Sequence, residues 1–194
     1  MSAYAPDGRS MRERMDAGDM YLADDPDLVA AYLRAQELTE SFNATGVRER
    51  ERRTTLLREL LGGLGDDTTI RPPFQVDYGS QVRIGARSFA NFGLIALDVA
   101  PITIGDDVQI GPNVQLLTPI HPLEAGPRRD KWEAAKPITI GDNVWLGGGV
   151  IVCPGVTIGA DTVVGAGSVV TKDLPEGVLA LGNPARVVRE LGRS

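Results

Sequence analysis

The chain has few of the side chains that carry the commonest kinds of protein chemistry. Its 194 residues include one cysteine and one histidine. A lone cysteine excludes an internal disulfide framework, so we expect a reducing compartment. The single histidine likewise excludes a zinc site built from three histidines. The sequence therefore predicts no metal requirement.

Basic charge and long apolar runs are also scarce. Lys and Arg total 20 against 26 Asp and Glu, a formal net charge of −6. This balance disfavours a nucleic-acid partner, which needs a basic surface. The chain lacks a run of about 18 apolar residues that could cross a membrane, and residues 1–25 lack the apolar segment of a secretory signal. We therefore expect a cytoplasmic protein with no membrane partner.

Glycine is abundant, with 23 residues, and it marks a six-residue repeat between Ile138 and Asp173. Each unit contains an aliphatic residue, a small residue or glycine after it, and a second small or apolar residue two positions before it. Residues two apart share one face of a strand, so each unit predicts one short strand and one corner. Six units in phase favour a parallel β-helix over unrelated strands of a sandwich or barrel. The aliphatic positions are Ile140, Leu146, Val152, Ile158, Val164 and Val170.

Composition divides the chain into four parts. Residues 1–10 form a tail that we expect to be disordered, and residues 11–65 form a helical segment. A β-helix follows at 66–173, broken by one long loop at 117–137, and residues 174–194 form a C-terminal segment. In the helical segment, Asp25 and Pro26 are typical of an N-cap and a first helical residue. The alternating charges of residues 48–53 are typical of a solvated helix face. Near the C-terminus, Arg186 and Arg189 would share one face of a helix.

The only histidine lies in the long loop. A loop of this length inside a compact domain is usually functional, and Pro119 and Pro122 stiffen the backbone around His121. Imidazole is the natural general base at neutral pH. Glu124 and Glu133 lie in the same loop, and either carboxylate could orient the ring. The sequence therefore predicts a site centred on His121 and leaves its partner open.

Three residues of the β-helix also differ from their neighbours. Asn91 takes a glycine position at a corner, which predicts either a left-handed backbone or an amide that holds a ligand. Cys153 takes another such position, where we expect a small buried thiol and not a nucleophile. Trp145 lies between two inward-pointing residues, so its indole should project outward as a subunit contact or a ligand platform.

Several segments together resemble the maltose/galactoside O-acetyltransferase branch of the hexapeptide-repeat acyltransferases. The resemblance covers about residues 11–191, and the helical N-terminus makes it specific to that branch. It implies a left-handed parallel β-helix assembled as a homotrimer, with acetyl-CoA as co-substrate and a small sugar as acceptor. The segments are 41–43 (Ser-Phe-Asn), 77–79 (Asp-Tyr-Gly), 89–92 (Phe-Ala-Asn-Phe), 97–98 (Leu-Asp), 121–122 (His-Pro), 137–145, 165–173 and 182–186.

The resemblance also implies roles for individual residues. His121 matches the base that deprotonates the sugar hydroxyl for direct attack on the thioester, and Glu133 becomes the preferred partner. Backbone amides near Gly147 and Gly148 would stabilise the oxyanion. On the acceptor side, Asp77 and Asn91 match family positions. Two family aspartates are replaced here by Ala23 and Val99, and Asp24 and Asp98 lie next to those positions. The acetyl-CoA side matches Trp145, Gly148, Ala166, Thr171, Lys172, Arg186 and Arg189.

Two other functions fit the same pattern. An amine or antibiotic acceptor would use the same histidine. A non-catalytic trimeric scaffold would keep the β-helix for assembly alone, but it leaves the matches at His121, Asn91, Lys172 and Arg186 without a purpose. We therefore expect a sugar O-acetyltransferase.

Overall fold

The computed structural model describes Tyr4 and residues 7–192, and it shows an N-terminal helical region followed by a parallel β-helix of about six turns. Part of the tail expected to be disordered, residues 1–3, 5 and 6, lies outside the described residues. Its described end makes specific contacts instead, because the Asp7 carboxylate pairs with Arg9 at 2.6 Å and with Arg14 at 3.3 Å. No helix of the described part is long and apolar enough to cross a membrane.

Capping side chains precede the first two of the three N-terminal helices, and the third has none. The helices are α1 Met11–Asp16, α2 Pro26–Asn43 and α3 Arg50–Leu60. The Asp25 side chain accepts a hydrogen bond from the Asp27 N–H and Pro26 is the first residue of α2, as predicted. Helix α3 begins at Arg50, two residues after the start of the charged stretch 48–53 that predicted a helix face. Asn43 ties α2 to the β-helix, because its side chain exchanges hydrogen bonds with the Phe74 backbone at 2.8 and 2.9 Å.

The β-helix has three faces, each a stack of short parallel strands, and the last strand of the chain adds to the second face in antiparallel orientation. The first face contains β1 Gly63–Leu64, β4 Val82–Ile84, β7 Ile102–Ile104, β12 Ile138–Ile140 and β15 Thr157–Ile158. The second contains β2 Thr69–Ile70, β5 Phe89–Ala90, β8 Gln109–Ile110, β13 Trp145–Leu146, β16 Val163–Val164, β18 Val178–Gly182 and β19 Ala185–Glu190. The third contains β3 Phe74–Val76, β6 Leu94–Leu97, β9 Gln115–Leu117, β14 Ile151–Val152 and β17 Val169–Val170.

The two inward positions of each repeat form one continuous core. All six aliphatic positions of the repeat are buried, and so are the residues two positions before them. Burying one such aliphatic side chain stabilises the fold by about 1.5–3 kcal/mol. Thr162 and Ser168 also point inward, and each hydroxyl donates to a backbone carbonyl at 2.7 Å, which satisfies a polar group inside the core.

The repeat glycines are needed for close packing between coils. A Cβ on Gly141 would lie 2.6 Å from the backbone nitrogen of Ala160 in the next coil. Left-handed backbone occurs at other corner positions, including Asn143 with φ 54°. Asn91 does not adopt it, so the expectation of a left-handed corner there is wrong. Instead its side-chain oxygen accepts a hydrogen bond from the Phe92 N–H at 2.9 Å.

The long loop and the C-terminus are more regular than expected. The loop contains an antiparallel pair, β10 Pro119–Ile120 and β11 Ala134–Ala135, with the short helix α4 Ala125–Arg129 between them. Arg186 and Arg189 belong to strand β19 and not to a helix. In the pairing with β18, Arg186 lies opposite Leu181 and Arg189 opposite Leu179, which leaves Val188 as an extra, bulged residue. Because opposite residues share a face, the bulge returns both arginines to one side.

Candidate active site

His121 lies just after β10 with a half-exposed ring (54 % exposed side chain). Its Nδ1 is 3.4 Å from the main-chain oxygen of Trp132. A carbonyl oxygen can only accept a hydrogen bond, so the neutral ring that fits this contact carries its proton on Nδ1. Nε2 then holds the free lone pair. The carbonyl of Trp132 therefore selects the tautomer, a role that the sequence assigned to a carboxylate.

Glu133 faces the opposite side of the same ring. Its Oε2 is 3.7 Å from His121 Nε2, the nitrogen that gains a proton if the ring acts as a base. An anion at that distance stabilises imidazolium. Glu124, the other carboxylate considered, precedes α4 and has no contact with the ring. The structure therefore favours Glu133 as the partner of His121.

Tyr21 holds Glu133 in place and was missed in the sequence. Its ring is fully buried, and its hydroxyl donates to Glu133 Oε1. The two residues also form an antiparallel bridge, with Tyr21 N–H to Glu133 O at 2.8 Å and Glu133 N–H to Tyr21 O at 3.1 Å. Burial and the neighbouring Glu133 carboxylate raise the pKa of Tyr21, so the phenol stays a neutral donor. No local motif links positions so distant in sequence, and only the fold places them together.

Asp77 and Asp98 lie next to each other but do different work. The side chain of Asp98 is fully buried, and its carboxylate accepts backbone N–H groups of Asp77 at 3.1 Å, Tyr78 at 2.8 Å and Gln81 at 3.1 Å. Both carboxylate oxygens of Asp98 are therefore occupied by backbone groups, and neither is left for a sugar hydroxyl. Its predicted role in binding the acceptor sugar is corrected, because Asp98 supports Asp77 instead. Burial raises the pKa of Asp98 even though hydrogen bonds from backbone N–H groups, including those of Gly79, Tyr78 and Gln81, lower it.

Asp77 is the carboxylate that faces open space. It lines a cavity of about 430 Å³ together with His121, Glu133, Tyr32 and Tyr78. Burial, then the charges of Asp98 and Glu133, raise the pKa of Asp77 to about 6. The cavity thus combines a base, a carboxylate and aromatic rings, which suits a ligand with both hydroxyl groups and apolar faces.

Asp24 lies in an adjoining cavity of about 600 Å³, which also contains His121 and Glu133. The structure therefore brings Asp24, Asp77, His121 and Glu133 to one region. Asn91 is not among them. It lines a third cavity of about 520 Å³ on the second face of the β-helix.

That third cavity contains several residues matched to acetyl-CoA binding. Trp145 projects outward as predicted, with 55 % of its surface exposed, and Gly148 and Ala166 lie beside it. The Gly147 N–H is bonded to the Val164 carbonyl at 2.8 Å, so it does not serve as an oxyanion donor. Within the described chain the Gly148 N–H has no backbone acceptor, which leaves it as the available amide.

The other residues matched to acetyl-CoA binding do not line this cavity. Arg186 and Arg189 are exposed on β19, which lies beside β18 on the second face. Thr171 and Lys172 are exposed directly after β17, at the end of the third face. Cys153 is half-buried, and burial raises the pKa of its thiol, which opposes a nucleophilic role.

Comparison with known protein families identifies both parts of the chain. Residues 14–65 match the maltose acetyltransferase hexapeptide capping motif. Residues 137–172 match the bacterial transferase hexapeptide, as six repeats. The first match covers the helices, and the second covers the repeat that forms the last coils of the β-helix.

Whole-chain comparisons agree. The galactoside O-acetyltransferase of Escherichia coli (strain K12) is 42% identical over 181 residues, which cover 93% of this chain and 89% of that protein. A maltose O-acetyltransferase structure from Clostridium difficile 630 matches with a TM-score of 0.94 at 43% identity, covering 96% of this chain and 100% of the other. A galactoside acetyltransferase structure in complex with coenzyme A matches with a TM-score of 0.92 at 41% identity, covering 95% and 92%. The chain therefore belongs to the maltose/galactoside O-acetyltransferase family of hexapeptide-repeat proteins, with a maltose acetyltransferase capping motif before its β-helix.

Proposed function

We propose that this protein transfers an acetyl group from acetyl-CoA to a hydroxyl of a small sugar, with His121 as the general base. Family membership supports the reaction class. The observation that carries the assignment of the base is the environment of His121, because the Trp132 carbonyl holds the proton on Nδ1 and leaves Nε2 facing Glu133. The environment of His121 would serve an amine acceptor equally well, so it is family membership that favours a sugar. A non-catalytic scaffold would leave that environment without a purpose.

His121 performs both proton transfers in this proposal. Nε2 takes the proton of the sugar hydroxyl as its oxygen attacks the thioester carbonyl carbon. Glu133 stabilises the imidazolium that results, and the Gly148 N–H stabilises the negative charge on the carbonyl oxygen. When the carbon–sulfur bond breaks, the imidazolium returns the proton to the departing sulfur. The products are the sugar acetate and CoA, and His121 is neutral again.

Acceptor recognition follows from the cavity around His121. Asp77 and Asp24 accept hydrogen bonds from sugar hydroxyls. Tyr32, which is 44% exposed at the cavity wall, offers an aromatic face to the apolar side of a sugar ring. Above pH 7 Asp77 is ionised and serves only as an acceptor of hydrogen bonds, because the pKa of its carboxyl is about 6.

Acetyl-CoA binding is assigned to the second face. Trp145 and Ala166 line the cavity, and the cations of Lys172, Arg186 and Arg189 suit the phosphates. The cavity with Trp145 and Asn91 shares no lining residue with the cavity of His121. We therefore propose a homotrimer in which neighbouring chains combine the two halves and form a ternary complex.

The test is release of CoA from acetyl-CoA in the presence of a panel of sugars, amines and antibiotics. His121→Ala should lower kcat by about 10²–10⁴-fold, the usual contribution of one general base, while circular dichroism stays unchanged because the ring is half-exposed. Leu123→Ala, in the same loop and 91 % exposed, is the matched control and should retain activity. Wild-type turnover in His121→Ala would contradict the assignment.

The panel also separates the alternatives. Release with amines or antibiotics but not with sugars would replace the sugar acceptor with an amine. Absence of acetyl-CoA binding in calorimetry would favour the scaffold. The trimer is tested separately by sedimentation, where a monomer that is fully active would contradict a site shared between chains.

A further inference from the structure

A cleft that shares no lining residue with the cavities around His121 has no role in the mechanism above. It lies between helix α3 and the first coil of the β-helix and has a volume of about 890 Å³. One wall is the face of α3 that carries Arg50, Arg53 and Arg58, and the other is the segment from Leu64 to Arg71. Phe89 lines its far end.

The charges in this cleft are opposite to the charge of the chain. The protein has a net charge of −6, but the cleft is lined by four arginines and two aspartates. Arg58 is paired with Asp66 at 3.4 Å. Arg53 is bound to Thr45, through Nε to Oγ1 at 2.8 Å. Within the described residues, Arg50 and Arg71 have no carboxylate partner, although the surface is rich in carboxylates.

Arg71 is held in a fixed position. Its guanidinium lies over the ring of Phe89, 5.1 Å from the centroid, and over that of Phe92, 5.0 Å from the centroid. Two aromatic contacts restrict the side chain before any ligand arrives, which lowers the entropy lost on binding. A guanidinium arranged in this way is suited to bind a phosphate or carboxylate group.

The cleft adjoins the cavity that contains Asn91. Phe89 lines both of them. Arg71 Nη1 also lies 3.5 Å from the side-chain oxygen of Asn91, at the limit of a hydrogen bond. In a homotrimer that places Asn91 of one chain beside His121 of its neighbour, an acceptor held at His121 can also place a substituent on Arg71 and Arg50.

We propose that this arginine cleft binds an anionic group, a phosphate or carboxylate, carried by the acceptor sugar. The inference rests on the proposed function, because it assumes a homotrimer in which an acceptor at His121 of one chain reaches Asn91 of its neighbour. It narrows the substrate class from small sugars in general to sugars with an acidic substituent. The two free arginines supply the charge, and Phe89 and Phe92 fix the position of one of them.

The experiment compares a methyl glycoside with the corresponding sugar 1-phosphate as acceptors, using wild type, Arg50→Gln and Arg48→Gln. Arg48 is exposed, lies two residues from Arg50 and does not line the cleft, so its variant is a control for net charge. The wild type should prefer the sugar phosphate by about ten-fold in kcat/KM, and Arg50→Gln should lose most of that preference. Arg48→Gln should keep it, and the KM for acetyl-CoA should not change in either variant.

Three results would overturn the inference. The first is an equal kcat/KM for the two acceptors in the wild type. The second is an equal effect of Arg50→Gln and Arg48→Gln on the preference for the sugar phosphate. The third is a higher KM for acetyl-CoA in Arg50→Gln, which would assign the cleft to the phosphates of CoA. If neither sugar is acetylated, the proposed function fails and the cleft is tested by calorimetry with the sugar 1-phosphate. Binding that weakens in Arg50→Gln would support the cleft alone, and absence of binding would refute it.

Discussion

Replacing Tyr21 with Phe tests whether Glu133 acts through its position beside His121. The substitution removes one hydroxyl and keeps the buried ring. Glu133 then loses the donor to Oε1 that fixes its carboxylate, while Oε2 is no longer held 3.7 Å from His121 Nε2. The backbone bridge between residues 21 and 133 remains. The change therefore affects the orientation of Glu133 more than its location.

The magnitude follows from the charge pair formed when His121 is protonated. Two unit charges about 4 Å apart interact by roughly 4 kcal/mol at an effective dielectric constant of 20. Water reduces this interaction energy because the histidine is half-exposed, so we expect Glu133 to stabilise the imidazolium by about 1–2 kcal/mol. That energy corresponds to roughly 5–30-fold in rate. Tyr21→Phe removes the positioning and leaves the charge, so kcat should fall by about 5–10-fold. The free energy of unfolding should fall by about 1–2 kcal/mol, since one charged hydrogen bond is lost.

The assay is steady-state kinetics of CoA release by wild type, Tyr21→Phe, Glu133→Gln and the double variant. The KM for acetyl-CoA should stay constant in all four, because neither residue lines the cavity that contains Trp145. Once Glu133 is replaced, the change at Tyr21 should have no further effect on kcat. Additive losses in the double variant, or a wild-type kcat in a folded Tyr21→Phe protein, would refute the reasoning.

Two further predictions concern the neighbouring aspartates. Asp98→Asn should lower the free energy of unfolding by about 1–3 kcal/mol, measured by chemical denaturation, because an amide NH₂ cannot accept the backbone N–H groups that both carboxylate oxygens accept now. A higher KM for the acceptor without loss of stability would instead indicate a direct contact. For Asp77, folding raises the pKa from 3.8 to about 6. The native state therefore binds the proton more tightly than the unfolded chain does, and this contribution to stability is lost as the pH rises through the interval. Asp77→Asn should remove the decline in Tm between about pH 4 and 6, and parallel Tm curves for variant and wild type would contradict the pKa assignment.

The repeat shows why much of the fold could be predicted. Its six-residue period specifies which side chains point inward, and positions such as Ile140, Leu146 and Val152 are all buried. The capping residues Asp25 and Pro26 likewise place the start of α2, since capping is decided within a few residues of chain. The long loop and the repeat singled out His121 and Trp145, and the family resemblance then suggested their roles.

The tertiary structure decided which polar groups meet. Asp98 looked like a binding residue, but the backbone amides of the preceding coil bury its carboxylate completely. Arg186 and Arg189 share a face through a bulge that only the pairing of two strands reveals.

The sequence by itself determined the β-helix, its interrupting loop and the residue types available for catalysis, because local period and composition encode these features. Only the tertiary structure decided that Tyr21 holds Glu133, that a backbone carbonyl orients His121 and that Arg71 reaches Asn91. These contacts join residues whose side chains meet only after the coils have stacked and the loop has folded back. Their geometry depends on packing between distant segments, which a periodic pattern does not specify.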